Sequence, residues 1–381
     1  MRRLLFSNLA VFLLTAIFFG AIAATMTPTL SRDSRFYLRL SDAIMGGNAA
    51  TAFGTTEHAS WTVIVIPLLI SGARLIAPER WPVVMVILNV LCGALTAALM
   101  VWLVRLVTRS LFAAAVALLF YVTAYDVVAW LKFVLTDMLF SALALATFAV
   151  LVRGIVRDEP AARRRVQLAI LLALCFITRP AGVILIPLVI FIEMAASYPK
   201  RVAPWAFVIA AAVVALLVRA YFFDDMSRWP FDFMRPKLEE YAAREDTGEV
   251  VWNRTDTFHA TPQSIGDHVL IEADRFVRFF QFTTPGFSRA HNLVNIAYYV
   301  PLYLFGILGA VFGWRRGDAR LRIVVQATLL WLAAVAWFHA ITILDYDWRY
   351  RLPVMPQLIL LAAIGASALF ARLRRQPWPE R

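Results

Sequence analysis

The sequence predicts an all-α protein, a polytopic membrane helix bundle of about ten spans with one further helix at the interface and two long periplasmic loops. Three observations predict it. Hydrophobic residues fill 61% of the 381 positions and charged residues only 16%, which excludes an ordinary soluble globule. The apolar residues gather into segments approaching the roughly 20 residues that cross a bilayer. The basic residues behind the formal charge of +12 stand in short runs between those segments, where they orient a membrane protein rather than bind nucleic acid.

The first apolar segment, 4–26, follows Arg2-Arg3 and is too long for a cleaved signal region, so it reads as a retained anchor. Ten more follow, at 61–77, 82–104, 111–125, 134–152, 166–178, 181–196, 203–222, 294–313, 321–343 and 354–371. Counted back from Arg372, Arg374 and Arg375, the arginine runs at Arg315 to Arg322, Lys200-Arg201, Arg153 to Arg165 and Arg105 to Arg109 alternate correctly with the spans. Arg2-Arg3 joins the same side only if 61–77 does not cross. That segment opens on Trp61, contains Pro67 and is broken by Ser71-Gly72 and Arg74, features of a helix lying at the interface. Both termini are then cytoplasmic, and the organisation is a membrane module over 1–222 with a first outer loop at 27–81, a periplasmic loop over 223–293 and C-terminal spans over 294–381. Lysine occurs only at Lys132, Lys200 and Lys237 while arginine is abundant. That is the codon bias of a GC-rich genome, and it points to a bacterial inner membrane. Cys92 and Cys175 both fall within apolar runs, which argues against a disulfide framework or a zinc-thiolate site.

On this topology the outer side collects the charge. It holds Ser31-Arg32-Asp33-Ser34-Arg35-Phe36-Tyr37 after the first span, Tyr125-Asp126 through Thr136-Asp137, the turn Thr178-Arg179-Pro180, the loop 223–291 and Leu344 to Pro353. The 223–291 loop has nearly half of the acids and His259, His268 and His291, with an amphipathic helix expected over Leu270 to Phe280. Ionisable groups at membrane depth are costly unless they pair or line a wet cavity, so their grouping on one side marks where chemistry would occur. Each has a plainer reading. Asp33 is a helix cap or a general base; Arg179 snorkels beside Pro180 or holds an anion; Asp137 caps a helix or faces a site; Asp345 to Arg351 form internal ion pairs or a binding turn. Glu57-His58 could join Asp33 around a divalent cation. His339 reads as a packed histidine. No phosphate loop, nucleophile elbow, paired-cysteine metal site or His-Glu-x-x-His helix is present in the sequence.

The order of these features resembles the GT-C integral-membrane glycosyltransferases, and within them the bacterial relatives of the protein O-mannosyltransferases and the lipid A aminoarabinose transferase. The residues carrying the resemblance are Asp33 before Tyr37, Leu135-Thr136-Asp137 opening a span, Ile177-Thr178-Arg179-Pro180-Ala181-Gly182, and Arg349-Tyr350-Arg351-Leu352-Pro353-Val354-Met355-Pro356 before the last span. The resemblance implies a transferase that takes sugar from a polyprenyl-phosphate donor. Asp33 would act on the acceptor as base and Asp137 would be a second carboxylate facing the site. Arg179, Arg349 and Arg351 would hold donor phosphate, with Arg35, Tyr37 and Tyr350 completing the substrate-binding set. The acceptor would be a lipid, glycan or protein; Asp33-Ser34 replaces the Asp-Glu of the protein mannosyltransferases, which weighs against the last. A transporter of lipid-linked saccharide and an O-antigen ligase or polymerase are the alternatives. The absence of inverted halves in the sequence argues against the first, and the loop histidines favour the second.

Overall fold

The computed structural model describes residues 2–48, 60–157, 159–197, 265–284, 286–342 and 348–374. The described residues form helices joined by short connections, and their only strand-like pairing is a single bridge between Thr29 and Phe133. In chain order the α-helices are α1 (Arg2–Ala23), α2 (Arg32–Met45), α3 (Val65–Ile76), α4 (Trp81–Thr108), α5 (Leu111–Val122), α6 (Tyr125–Trp130), α7 (Asp137–Arg157), α8 (Ala161–Thr178) and α9 (Leu185–Ser197). After the undescribed 198–264 come α10 (Ile265–Phe279), α11 (Arg289–Arg316), α12 (Ala319–Thr342) and α13 (Met355–Leu373). Short 3-10 turns at Ser60–Val63, Pro180–Ile184 and Trp348–Val354 lead into α3, α9 and α13.

Among the described residues, five helical segments are long and apolar enough to cross a membrane: Trp81–Thr108, Asp137–Arg157, Arg289–Arg316, Ala319–Ala340 and Arg349–Leu373. The other five expected spans fall outside that set. Asn8–Ala23, Leu111–Val122 and Pro180–Ala195 are shorter apolar helices, α8 begins with Arg163-Arg164-Arg165, and 203–222 lies outside the described residues. α3 has 12 residues, about 18 Å of helix against a hydrocarbon core of about 30 Å.

The described parts of the stretch between α1 and α4 form an organised cap. α2 buries Tyr37, Leu40 and Ser41 along one face, at helical spacing, and exposes Arg35, Arg39 and Asp42 on the other. The buried face meets Ile66, Ile70 and Ala73 of α3, Met85 of α4 and Val134-Leu135 in a small core of their own. Ser41 and Ser71 share a hydrogen bond at 2.9 Å, and Arg74 pairs with Asp42 at 2.6 Å across the same seam.

The main core runs through α4, α7, α12 and α13. Lipid tails are as apolar as leucine, so these helices associate through close packing rather than through exclusion of water. Glycine sets the tightest approach. A Cβ added at Gly309 of α11 would collide with the Leu361 carbonyl oxygen, and one at Gly365 of α13 with that of Phe305. At the arginine-rich end, Arg164 pairs with Glu193 at 2.7 Å and lies against Gly154, while Arg320 donates to the Val156 carbonyl at 2.9 Å. The ends of α7 and α8 bearing Asp137 and Thr178 lie opposite these arginines. The bundle therefore has a basic end and an end where carboxylates collect.

Candidate functional site

At the carboxylate end, local sequence places each side chain. Ser31 caps α2: its Oγ accepts from the Ser34 amide at 3.3 Å, and the Ser34 Oγ accepts from the Ser31 amide at 2.9 Å. The cap is thus complete without Asp33, whose carboxylate is left for other contacts. Four residues on, Tyr37 shares the Asp33 side of the helix, whereas Arg35 lies about 200° around and is exposed. The non-helical stretch before α7 is tied to this region by three devices. Thr29 exchanges backbone hydrogen bonds with Lys132 and Val134, Ser34 Oγ donates to the Val134 carbonyl at 2.8 Å, and Asn89 of α4 donates to the Leu131 and Phe133 carbonyls. Asp137 then opens α7, where the helix N-terminus favours a negative charge.

Arg179 follows the last residue of α8 in an extended conformation (φ −156°, ψ 137°), as a residue before proline must. Pro180 begins the 3-10 turn, and Gly182 lets the chain fold back, since a Cβ there would stand 2.6 Å from the Cys175 carbonyl carbon. The third piece is the Trp348–Val354 turn, fastened to α7 by the Ser141 Oγ bond to the Leu352 carbonyl at 3.0 Å.

These pieces meet. Arg349 donates to Asp33 at 2.8 Å and to the Tyr350 hydroxyl at 3.1 Å. Arg179 is paired with Asp137, and the guanidinium carbons of Arg179 and Arg349 lie 5.1 and 5.0 Å from the Tyr350 ring centre. Burial pushes the Tyr37 phenol above its usual range, with Asp33 and Asp137 adding to the rise and Arg179 and Arg349 opposing it. Arg179 loses solvation by burial, yet Asp137 beside it more than compensates and raises its pKa. Asp33, Tyr37, Asp137, Arg179, Arg349 and Tyr350, from four parts of the chain, therefore share one site.

Arg351 does not join them. Its side chain is 1% exposed, pairs with Asp126 at 3.1 Å, donates to the Gln281 carbonyl and lies over Tyr299. Tyr299 donates to the same carboxylate. Arg351, expected to hold donor phosphate, is thus placed apart from this cluster: residues two apart in a 3-10 turn lie about 120° apart, so Arg349 meets Asp33 while Arg351 enters the core. Arg35, on the exposed face of α2, is likewise outside the cluster. His339 was read as a packed histidine. It does stack on Tyr350 and Phe279, at 4.8 and 5.8 Å between ring centres, but it thereby lines the back of the site. Asp126, one of the charged groups conspicuous in the sequence, and Tyr299 serve the enclosed Arg351 rather than the cluster around Asp33. Glu57, His58 and His259 lie outside the described residues, as do Asp345 and Asp347, and nothing of the His268 side chain is described. His291 stacks on Phe287 at 3.9 Å. Among the described residues no group of three His, Cys, Asp or Glu side chains comes together as a metal site.

No protein-family model matches the sequence, and no curated protein matches it. Among solved structures the fold is similar to that of the archaeal oligosaccharyltransferase AglB from Archaeoglobus fulgidus, determined in complex with an inhibitory peptide and a dolichol-phosphate. The TM-score is 0.58 at 14% sequence identity, covering 97% of this chain and 51% of that one. The chain spans about half the length of that protein, and the likeness is one of fold.

Proposed function

We propose that the chain is a membrane glycosyltransferase that moves a sugar from a polyprenyl-phosphate donor to an acceptor at the non-cytosolic face of a bacterial inner membrane, using about ten spans. One observation carries this reading: a half-exposed carboxylate, Asp33, pairs with Arg349, and Arg349 and Arg179 both lie over the Tyr350 ring, at the end of a bundle of membrane-length helices. The similarity in fold to a protein determined with a dolichol-phosphate supports a lipid-linked donor.

The chemistry follows from the residues. A polyprenyl tail dissolves in the bilayer, so its phosphate sits at the rim, where guanidinium groups are suited to it. Asp33 takes the proton of the acceptor hydroxyl as the acceptor oxygen attacks the anomeric carbon. The bond from that carbon to the phosphate oxygen breaks with its electron pair, and polyprenyl phosphate leaves with its charge held by Arg349 and Arg179. Asp137 is 3% exposed and engaged with Arg179, so it orients that arginine and does not reach the sugar. A single available carboxylate favours direct displacement and inversion at the anomeric carbon. Tyr37 and Tyr350 supply hydroxyl and ring contacts to the donor. Arg351 and Arg35 are left out of the phosphate-binding set, the first because it is enclosed and the second because it faces away.

The experiment is an assay of membranes containing the protein with a labelled polyprenyl-phosphate sugar. A transferase releases polyprenyl phosphate in proportion to the protein present. A transporter carries the intact lipid-linked sugar across the bilayer and releases none.

A further inference from the structure

The two acid–base pairs of the site are held differently. Asp137 and Arg179 are enclosed, with side chains 3% and 11% exposed, whereas Asp33 and Arg349 are 42% and 17% exposed. Separating the first pair would strand a charge away from water, which is strongly unfavourable. Separating the second returns a carboxylate to solvent, which costs little. Three further features bear on that second pair. Ser31 and Ser34 satisfy the α2 cap between themselves, so a rotation of the Asp33 side chain breaks no capping bond. Arg349 is steadied by the Tyr350 hydroxyl and ring, so its guanidinium can stay in place while the carboxylate moves. And as the pair stands, the Asp33 Oδ2 is occupied by the Arg349 Nη1 at 2.8 Å.

We infer that the Asp33 to Arg349 pair is an exchangeable latch: the phosphate of the lipid donor replaces Asp33 on Arg349, and the released carboxylate then becomes available to the acceptor hydroxyl. This rests on the reading of the site as a lipid-phosphate sugar transferase and adds an order to it, donor before acceptor. The base is engaged by a cation until the anion that makes it useful has arrived. The donor's phosphodiester offers a guanidinium two non-bridging oxygens that share one negative charge, a bidentate fit that outcompetes a carboxylate held through one oxygen. Asp33 and the donor phosphate therefore compete for one arginine. A pair that merely supported Arg349 would behave in the opposite way, since its loss would loosen the arginine and weaken phosphate binding.

The test is equilibrium binding of undecaprenyl phosphate to the purified full-length chain in lipid nanodiscs. Asp33→Asn is expected to bind about fivefold tighter or more, the order of magnitude of a released, partly exposed ion pair. Arg349→Gln is expected to bind more weakly, and the Asp33→Asn, Arg349→Gln double variant no tighter than Arg349→Gln alone. Asp33→Ser, a small polar replacement in an exposed first turn, repeats the comparison independently of the amide. Equal or weaker binding by both Asp33 variants overturns the latch and leaves the transferase reading in place. Absence of binding by the unmodified protein overturns both.

Discussion

At Asp33 the helix cap and the carboxylate are separate devices. Ser31 closes α2 with Ser34, and the acid two positions along pairs across the site with Arg349, 316 residues away in sequence. The same separation of duties divides the last turn, where Arg349 and Arg351 differ in what their loss should do. Arg351→Met leaves Asp126 charged and enclosed, and removing one partner of a buried pair costs about 3–5 kcal/mol. Arg349→Gln opens a partly exposed pair, worth about 1 kcal/mol or less. Thermal unfolding in detergent should therefore show a large loss for the first and a small one for the second, while activity is lost in both; equal unfolding midpoints would contradict this assignment. Tyr37 gives a second test. Burial and the adjacent carboxylates raise its pKa, so the neutral phenol is favoured and the phenolate is displaced to pH values above the ordinary tyrosine range. On the proposed mechanism it would donate a hydrogen bond rather than act as a base. Tyr37→Phe should lower turnover while leaving both limbs of the pH–rate profile where they were, and a lost alkaline limb would show that the phenol titrates in the reaction. The sequence disclosed Asp33, Asp137, Arg179 and Arg349 because charges beside apolar runs are conspicuous. It did not disclose which arginine of Arg349-Tyr350-Arg351 faces inward, because that depends on the register of a short 3-10 turn and on a carboxylate at Asp126.

Among the elements, every apolar segment that lies within the described residues became a helix, since backbone groups in hydrocarbon have few other ways to pair. Length and arginine content decide which of them qualify as spans, and these were legible by counting. The cap built from α2 and α3 was not. Its stability rests on the Tyr37, Ile66, Ile70 and Val134 cluster and on the Ser41 to Ser71 bond, contacts that join residues about 30 or more positions apart. Two glycines carry testable weight at this scale. Gly182 allows the chain after Arg179 to pass close over the Cys175 carbonyl group. Gly182→Ala should shift Arg179 away from Asp137 and reduce activity with only a modest change in stability, on the order of 1–2 kcal/mol. Gly309→Leu forces α11 and α13 apart where they cross most closely. It should lower the amount of folded protein recovered from membranes, whereas the same change at Gly20, which has open space around it, should not. Normal yield from Gly309→Leu would contradict the crossing.

For the molecule as a whole, the two-ended distribution of charge predicts sidedness. Arg157 lies exposed at the basic end of α7, and Arg35 lies exposed on the cap at the other end. Cys92 and Cys175 are buried, so they give a low background for thiol labelling. An impermeant maleimide should modify Arg35→Cys in intact cells and Arg157→Cys only after the membrane is opened. The reverse pattern would put the site on the cytosolic side. Helical class was readable from the apolar segments, and arginine spacing is what the sidedness prediction rests on; the meeting of four chain segments was not readable, because it depends on the close helix crossings and on carbonyl anchors such as those of Asn89. The most direct measurement of the account is the turnover of Asp33→Asn with a labelled polyprenyl-phosphate sugar, compared with the unmodified protein at matched folded amount. Removing a general base should slow the release of polyprenyl phosphate about 10²–10⁴-fold while the unfolding midpoint stays within a few degrees. A well-folded Asp33→Asn protein that turns over at the unmodified rate would contradict it.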